Sequence, residues 1–402
     1  MERFKRIIVG GGASGLMLAA LCEAKNTVLL ERGARVGRKL SATGNGQGNI
    51  THLRMDKTHY FSRSDKDKRA VLNALSLFGK DELIAFLEKL GGLFLADSKG
   101  RVYPTGRQAS AITDLLRKYL CERGVDTRLE HTVTSIQKSD DGFVVTAQTP
   151  SGEKKFFAEK IVLCAGGKAA KNFGTDGNGF ELCKKLGHGI TALYPSLVQL
   201  KTDSTYVKPL KGIRIAGAVV KASYIDGKEI ATETGDVIFT DYGVSGDAIF
   251  RLSAFLSDKI DQGVEISINL LPEVPKEKLE QALKEKLERE GEHPELLCGI
   301  LNNQVGRFLM KRFDGNTAEE LTTLVRSFTL PITGTLGYDY AQVTKGGVSL
   351  VDVDENLQSK LHKGLYFAGE ILDVDGECGG YNLQWAFSSA ALVAKAIGQG
   401  EK

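Results

Sequence analysis

The chain of 402 residues carries 53 basic and 50 acidic side chains, for a net charge of +3, and 42% of its residues are hydrophobic. That length exceeds what one hydrophobic core usually serves, so two or three structural units are expected. The near balance of charge leaves no electrostatic footprint for nucleic acid. The six cysteines (Cys22, Cys121, Cys164, Cys183, Cys298, Cys378) lack C-x-x-C spacing, which argues for reduced thiols over a zinc site or a disulfide framework. The sequence contains no apolar run of about 20 residues, so no membrane span is expected. The composition suits a soluble cytoplasmic protein, and no metal site is expected.

The first element is the most informative. Ile7-Ile8-Val9 reads as a buried parallel strand, Gly10-Gly11-Gly12-Ala13-Ser14-Gly15 as a tight turn, and Ala13 to Ala24 as a helix, followed by a second strand, Val28-Leu29-Leu30, ending in Glu31. Strand, glycines, helix, strand and terminal acid fall in order within roughly 30 residues, the context a dinucleotide-binding βαβ unit requires. The glycines let backbone N–H groups approach a pyrophosphate at the positive end of the helix. The Glu31 carboxylate suits a ribose hydroxyl and repels a 2′-phosphate, so an unphosphorylated ADP moiety is expected. A signal peptide is not, because the glycine cluster interrupts the apolar stretch and Glu23 and Lys25 follow it at once.

Next, Arg35 to Asn49 is rich in glycine, hydroxyl and amide groups and opens with the cations Arg35, Arg38 and Lys39. Such a segment cannot pack a core and can approach phosphates closely. Lys66 to Leu90 has helical apolar spacing closed by Gly91-Gly92, and Ala109 to Glu122 predicts another helix. Thr132 to Ile136, Phe143 to Thr149 and Lys155 to Ala158 alternate as a three-stranded meander, which leads into a return strand, Lys160 to Gly167. From about Ala192 to Leu271 the pattern changes to short strands (Leu197 to Leu200, Ile215 to Tyr224, Glu229 to Thr234, Val264 to Asn269). Pro272 to Val325 is then charged and helical, and strand character resumes at Ser327. Near the C-terminus, Leu365-Tyr366-Phe367-Ala368 ends in Gly369-Glu370, and Gly376 to Asn382 leads into a final helix. An acid at a strand's carboxyl edge suits a polyol, and a glycine-led helix start favours developing negative charge.

Four segments now carry a family resemblance: Arg38-Lys39-Leu40 leading into Thr43-Gly44-Asn45-Gly46, Phe239 to Gly246, Thr344-Lys345-Gly346-Gly347-Val348, and Gly364 to Gln384. Together they resemble the FAD-binding oxidoreductases grouped with aminoacetone oxidase and the dehydro-bile-acid Δ4,6-reductases, over nearly the whole chain. The resemblance implies an α/β fold whose Rossmann-like FAD-binding domain is built from both chain ends (1–191 and 334–402). An inserted β-barrel-like domain (192–333) would carry a helical subdomain at about 272–326. It also implies a cofactor shell. Gly10, Gly12, Ala13, Ser14, Gly15, Glu31, Arg32, Val133, Ala165 and Gly166 would lie at the ADP end, with Arg38, Lys39, Thr43, Gly44 and Asn45 in the loop around the cofactor. Gly369, Glu370, Gly380, Tyr381 and Asn382 would lie at the ribityl and isoalloxazine end. Two departures stand out. The family loop commonly reads G-N-G-R-C-N, whereas Gln47 and Gly48 stand here, and Asp247 occupies a position usually held by proline.

In such enzymes the flavin performs hydride transfer and the protein sets its orientation and electronics. Tyr381 and Cys378 are the candidate proton donors near it. The sequence holds no second strand–glycine–helix unit, so NAD(P)H as electron donor would bind without its own Rossmann domain. The favoured expectation is an NAD(P)H-dependent reductase of an activated C=C bond in a small steroid-like or other enone substrate. The alternative is an amine oxidase of the aminoacetone type using O2. A flavoprotein that binds or modifies RNA is disfavoured by the near-neutral charge. Nothing in the sequence specifies an oligomeric state.

Overall fold

The computed structural model describes residues 1–66 and 68–399. Asp67, inside the helical stretch expected over 66–90, and the last three residues of the 334–402 segment lie outside the described residues. The chain divides into two compact units, Met1–Tyr194 with Gln342–Lys402, and Pro195–Ala341.

In the first unit the chain runs through β1 (Glu2–Val9), α1 (Ala13–Leu21), β2 (Thr27–Leu30), β3 (Thr51–His52), β4 (Tyr60–Phe61), α2 (Arg69–Leu77), α3 (Lys80–Lys89), β5 (Phe94–Ala96) and β6 (Arg101–Pro104). It continues through α4 (Ala109–Glu122), β7 (Asp126–Arg128), β8 (Thr132–Ser139), β9 (Gly142–Thr149) and β10 (Gly152–Leu163). The main sheet has the order β7-β2-β1-β10-β9-β8, and strand Leu365–Phe367 also pairs with β10. Its parallel strands are continuous apolar runs with both faces covered, which is why Ile7, Ile8, Val28, Leu29, Ile161 and Val162 are almost wholly buried. Register aligns their ends, because Val9 pairs with both Leu30 and Leu163, and Leu163 pairs with Phe367.

Two expectations are corrected here. The meander's third strand and the return strand are a single strand, β10, which pairs antiparallel with β9 over Gly152–Ala158 and parallel with β1 over Phe156–Leu163. No breaker stands between Ala158 and Lys160, so the chain changes partners without turning. The helical stretch 66–90 is two helices, because Gly79 ends one run and caps the next, with the Glu82 carboxylate accepting from its N–H at 2.9 Å.

α1 packs against the C-terminal helix Tyr381–Gln399. That helix anchors the core through Trp385, which is 1% exposed and donates its indole N–H to the Gly369 carbonyl at 3.1 Å. The small antiparallel sheet β3-β6-β5 lies apart, and β4 pairs with Asp375–Gly376.

The second unit holds one antiparallel sheet whose order begins with Phe328–Ile332 and ends with Gly334–Thr335. These two edge strands are separated in the chain by Thr333 alone, so the sheet curls back on itself. Helices Lys276–Glu290, Asn303–Met310 and Ala318–Arg326 belong to this unit and bury Leu279, Leu283, Val305, Leu309, Leu321 and Val325 in its core. Strand Leu197 to Leu200 is not formed as expected. Leu197 lies in the left-handed region (φ 53°), and the strand there is Leu200–Lys201. Asp247 starts helix Asp247–Leu256 and accepts the Asp236 N–H at 2.6 Å, a contact that proline could not make.

Replacing Trp385 with alanine is expected to cost about 3–5 kcal/mol in urea unfolding through the cavity it leaves. Trp385→Phe, which removes the indole donor while Leu372 N–H still donates to the Gly369 carbonyl at 3.2 Å, is expected to cost only about 1 kcal/mol.

Candidate functional site

The aligned strand ends gather the predicted ADP-end residues at one edge of the sheet. Gly10 (φ 104°) passes so close to the end of β10 that a Cβ there would lie 2.5 Å from the Cys164 carbonyl oxygen, and a Cβ on Gly15 would lie 1.9 Å from the Gly10 carbonyl oxygen. These two glycines are demanded by packing. Gly12 differs: it caps α1, and a Cβ there would meet nothing within 4 Å. Its empty side is an open cradle at the positive end of a helix, which is what a pyrophosphate needs.

Ala13 begins α1, and Ser14 is buried with its hydroxyl 2.7 Å from where a Cβ on Gly369 would stand. The C-terminal strand exit is therefore packed on the start of the first helix. Glu31 is pinned by two backbone donors, Gly11 N–H to Oε2 and Gly33 N–H to Oε1, each at 2.7 Å. The remaining lone pairs on each oxygen stay available to ribose hydroxyls. Val133 is buried in β8, two residues after His131, whose N–H donates to the Glu31 carbonyl at 2.9 Å. Ala165 lies against Gly10, and Gly166 takes φ 70° just beyond it.

The cations meet partners from distant parts of the chain. Arg32 pairs with Asp176 at 2.7 Å and holds that carboxyl below its ordinary range, and Arg38 donates to the Asn172 carbonyl at 2.7 Å. Both are thus tied to segment 172–176, which the sequence did not mark. Lys39 pairs with Glu370 at 2.7 Å, across 331 positions of chain. The second oxygen of Glu370 accepts the Thr344 N–H at 2.9 Å, and the Thr344 hydroxyl accepts from Lys168 N–H and Ala169 N–H at 2.7 and 2.9 Å. Thr344 is a missed centre of this network, and its only signal was its place in the Thr344-Lys345-Gly346-Gly347 segment.

Thr43 turns its hydroxyl back to the Leu40 carbonyl, and Gly44 and Asn45 take φ 59° and 54° in an exposed loop. Asn49, also missed, is buried at the end of this loop, and its Oδ1 has no hydrogen-bond partner among the described residues. A Cβ on Gly380 would lie 2.9 Å from that oxygen. An unpartnered buried acceptor beside a glycine-led helix start could accept from a polar group of a cofactor. Asn382 points elsewhere: its amide brackets the turn before the helix, accepting from Gly376 N–H at 2.8 Å and donating to the Gly376 carbonyl at 2.7 Å.

Tyr381 lies between two histidines, with ring centroids 5.1 Å from His52 and 4.6 Å from His59, both stacked. Its hydroxyl donates to the Arg54 carbonyl at 3.3 Å. Burial, aided by the nearby Glu377 charge, pushes the phenol up to about 12. His59 shares a 3.0 Å hydrogen bond with Glu377, and burial lowers the His52 imidazole. Cys378 is half-buried in the turn between them. Among the described residues no group of histidine, cysteine and carboxylate side chains could hold a metal ion, and no helix is long and apolar enough to cross a membrane.

A βαβ cradle, an acid at the second strand's end and a C-terminal strand docked on the first helix define a dinucleotide-binding flavoenzyme fold. The chain belongs to the HI0933-like protein Rossmann domain family, whose model matches residues 4–396. It is 32% identical to the 3-dehydro-bile acid delta(4,6)-reductase of Clostridium scindens, with 98% of each chain covered. It is 30% identical to the ribosomal RNA dihydrouridine synthase of Escherichia coli, again over 98% of each. Among solved structures it resembles the 3-ketosteroid delta1-dehydrogenase of Sterolibacterium denitrificans (TM-score 0.54, 12% identity, 100% of each chain). It also resembles a flavocytochrome c3 fumarate reductase (TM-score 0.52, 16% identity, 99% of this chain and 78% of that one). The protein is a flavin oxidoreductase whose cofactor is FAD.

Gly12→Ala is expected to leave the melting temperature of the cofactor-free protein unchanged while weakening FAD binding, whereas Gly15→Ala lowers the melting temperature itself; fluorescence titration and calorimetry separate the two. Tyr381 also gives a pH prediction. Folding raises its pKa above the ordinary 10, so its contribution to stability is full below pH 10 and is lost as pH rises through about 12. Absorbance titration at high pH of wild type minus Tyr381→Phe should show a phenol titrating near 12, and a midpoint at or below 10 would contradict the geometry.

Proposed function

We propose that NAD(P)H reduces the bound FAD and that the reduced enzyme saturates an activated C=C bond of a small steroid-like, bile-acid-like or other enone substrate. The carrying observation is the full-length similarity to a chain named as a delta(4,6)-reductase of a 3-dehydro substrate. The second curated relative supports the same bond chemistry, because dihydrouridine is uridine with its ring C=C saturated, and that bond too is conjugated with a carbonyl.

In this reading the FAD domain comprises residues 1–191 and 334–402, and 192–333 is an inserted barrel-like domain with the helices of 272–326. The division of the chain at Tyr194 and Gln342 and the curled sheet support it. The cofactor-binding roles given above to Gly12, Glu31, Lys39 and Glu370, and to the Gly380 turn, belong to the same proposal. So does a cytoplasmic setting, in keeping with six cysteines none of which forms a disulfide among the described residues.

The residues above would hold FAD, which in its reduced form would supply a hydride for the carbon β to the carbonyl. The α carbon then needs a proton, and the Tyr381 hydroxyl holds one across the physiological range while remaining far more acidic than a carbon acid. The Cys378 thiol, three residues before it in the chain, is the second candidate donor. Lys39 and Thr344 N–H hold Glu370 in place, and the His52 and His59 rings fix the Tyr381 ring.

A ribosomal RNA uridine as acceptor is the second reading, favoured by the 30% identity to the Escherichia coli enzyme. Adding NADH and then NADPH anaerobically should bleach the flavin absorbance. An enone should then restore the colour without oxygen, and restoration by a uridine-containing RNA alone would select the second reading. No bleaching by either nucleotide, with dithionite still effective, would overturn both readings and favour an amine oxidase using O2.

A further inference from the structure

An open cavity of about 480 Å³ lies beside the segment that joins β4 to α2, and six residues line it: Lys57, Thr58, Lys66, Lys68, Arg69 and Leu72. Every ionisable side chain among the six is a cation. Pockets for small neutral molecules are lined mainly by apolar groups, so a wall of this composition suits an anion and does not suit an enone. The two described acids of this stretch are each engaged with a backbone N–H. Asp56 accepts from Thr58 N–H at 2.6 Å with one oxygen and faces His59 Nε2 at 3.8 Å with the other, and Asp65 accepts from Ala70 N–H at 3.0 Å.

Lys68 Nζ donates to the Thr58 carbonyl at 3.2 Å, which ties the start of α2 to the single turn Lys57–His59 and brings the cations of both segments to one cavity. Lys68 caps α2 and Arg69 is its first residue, so two of the charges also meet the positive end of the helix macrodipole. Like charges gathered in this way repel one another until an anion lies among them. Leu72, 45% exposed, adds an apolar surface that a purine or ribose can cover.

We propose that this cavity binds the phosphate monoester of the nicotinamide donor, the 2′-phosphate of NADPH, and so selects NADPH over NADH. A monoester carries roughly two negative charges at neutral pH and three acceptor oxygens, whereas each phosphorus of a pyrophosphate link carries one charge. The inference rests on the proposed reductase reading and deepens it. The glycine-rich βαβ unit is already assigned to FAD, and the sheet of the second unit is antiparallel, so the donor's phosphates need a site of another kind. The turn Lys57–His59 links the cavity to the candidate proton donor, since Lys57 lines the one and His59 stacks on Tyr381.

The test is calorimetric titration of the FAD-loaded protein with adenosine 2′,5′-bisphosphate and, separately, with AMP. The bisphosphate is expected to bind at one per chain and about tenfold tighter than AMP, and Lys66→Gln, a change at an exposed position, to weaken it about tenfold with the melting temperature unchanged. Lys68→Gly is expected to weaken it by a similar factor, because it removes a charge at a left-handed position (φ 56°) where glycine suits the backbone. Equal binding of the two nucleotides, or variants that bind the bisphosphate like wild type, would overturn the proposal. If those variants instead lose affinity for a uridine-containing RNA, the cavity serves an RNA backbone and the proposal falls. Binding is read here without turnover. A flavin that neither NADH nor NADPH bleaches would therefore overturn the proposed function while this titration still reported on the cavity, so the two ideas fail separately.

Discussion

The constraint on which the rest depends is the level ending of β2, β1, β10 and strand Leu365–Phe367. Backbone pairing sets Leu30, Val9, Leu163 and Phe367 in one row, and the bonds continue one step past it: Gly10 N–H to Leu30, Cys164 N–H to Val9, and Ala368 N–H to Leu163. Whatever follows each strand must emerge at the same edge. Glu31, the glycine turn, Ala165 and Gly369-Glu370 do so, although they are scattered over more than three hundred positions of sequence. A one-residue slip would invert the faces of a strand and scatter the groups that a dinucleotide needs together.

Once that edge exists, short-range chemistry completes it. Glycines serve two ends, since Gly10 and Gly15 allow backbone to touch backbone while Gly12 leaves space unfilled. The Lys39–Glu370 pair joins a loop near the N-terminus to a strand exit near the C-terminus, and both side chains are largely shielded from water. Shielding strengthens the attraction and raises the cost of losing one partner, so the pair fixes geometry more than it adds stability. Tyr381 illustrates the same economy of position. Two stacked imidazoles and a carbonyl hold it, and its burial keeps it protonated.

The dinucleotide unit was legible because it is local. Strand, turn, helix and acid are spelled consecutively, and α4 was legible for the same reason: apolar spacing with no competing breaker. The partners of the cations were not. Arg32, Arg38 and Lys39 meet Asp176, the Asn172 carbonyl and Glu370, contacts between segments more than a hundred positions apart that leave no periodic trace. β10 is one strand whose neighbour on one side changes from β9 to Leu365–Phe367, a change of partner that leaves no mark in composition. Asn49 looks like an ordinary loop residue until the chain brings Gly380 against it. Site chemistry that depends on one segment's backbone was readable, and chemistry that depends on two segments meeting was not.

The central claim is that both ends of the chain build one site for FAD. The most direct measurement is to denature the purified protein, identify the released cofactor by chromatography and mass spectrometry, and quantify it against protein. The account predicts FAD at one per chain. Release of FMN, or of no flavin from folded protein supplied with FAD, would contradict it.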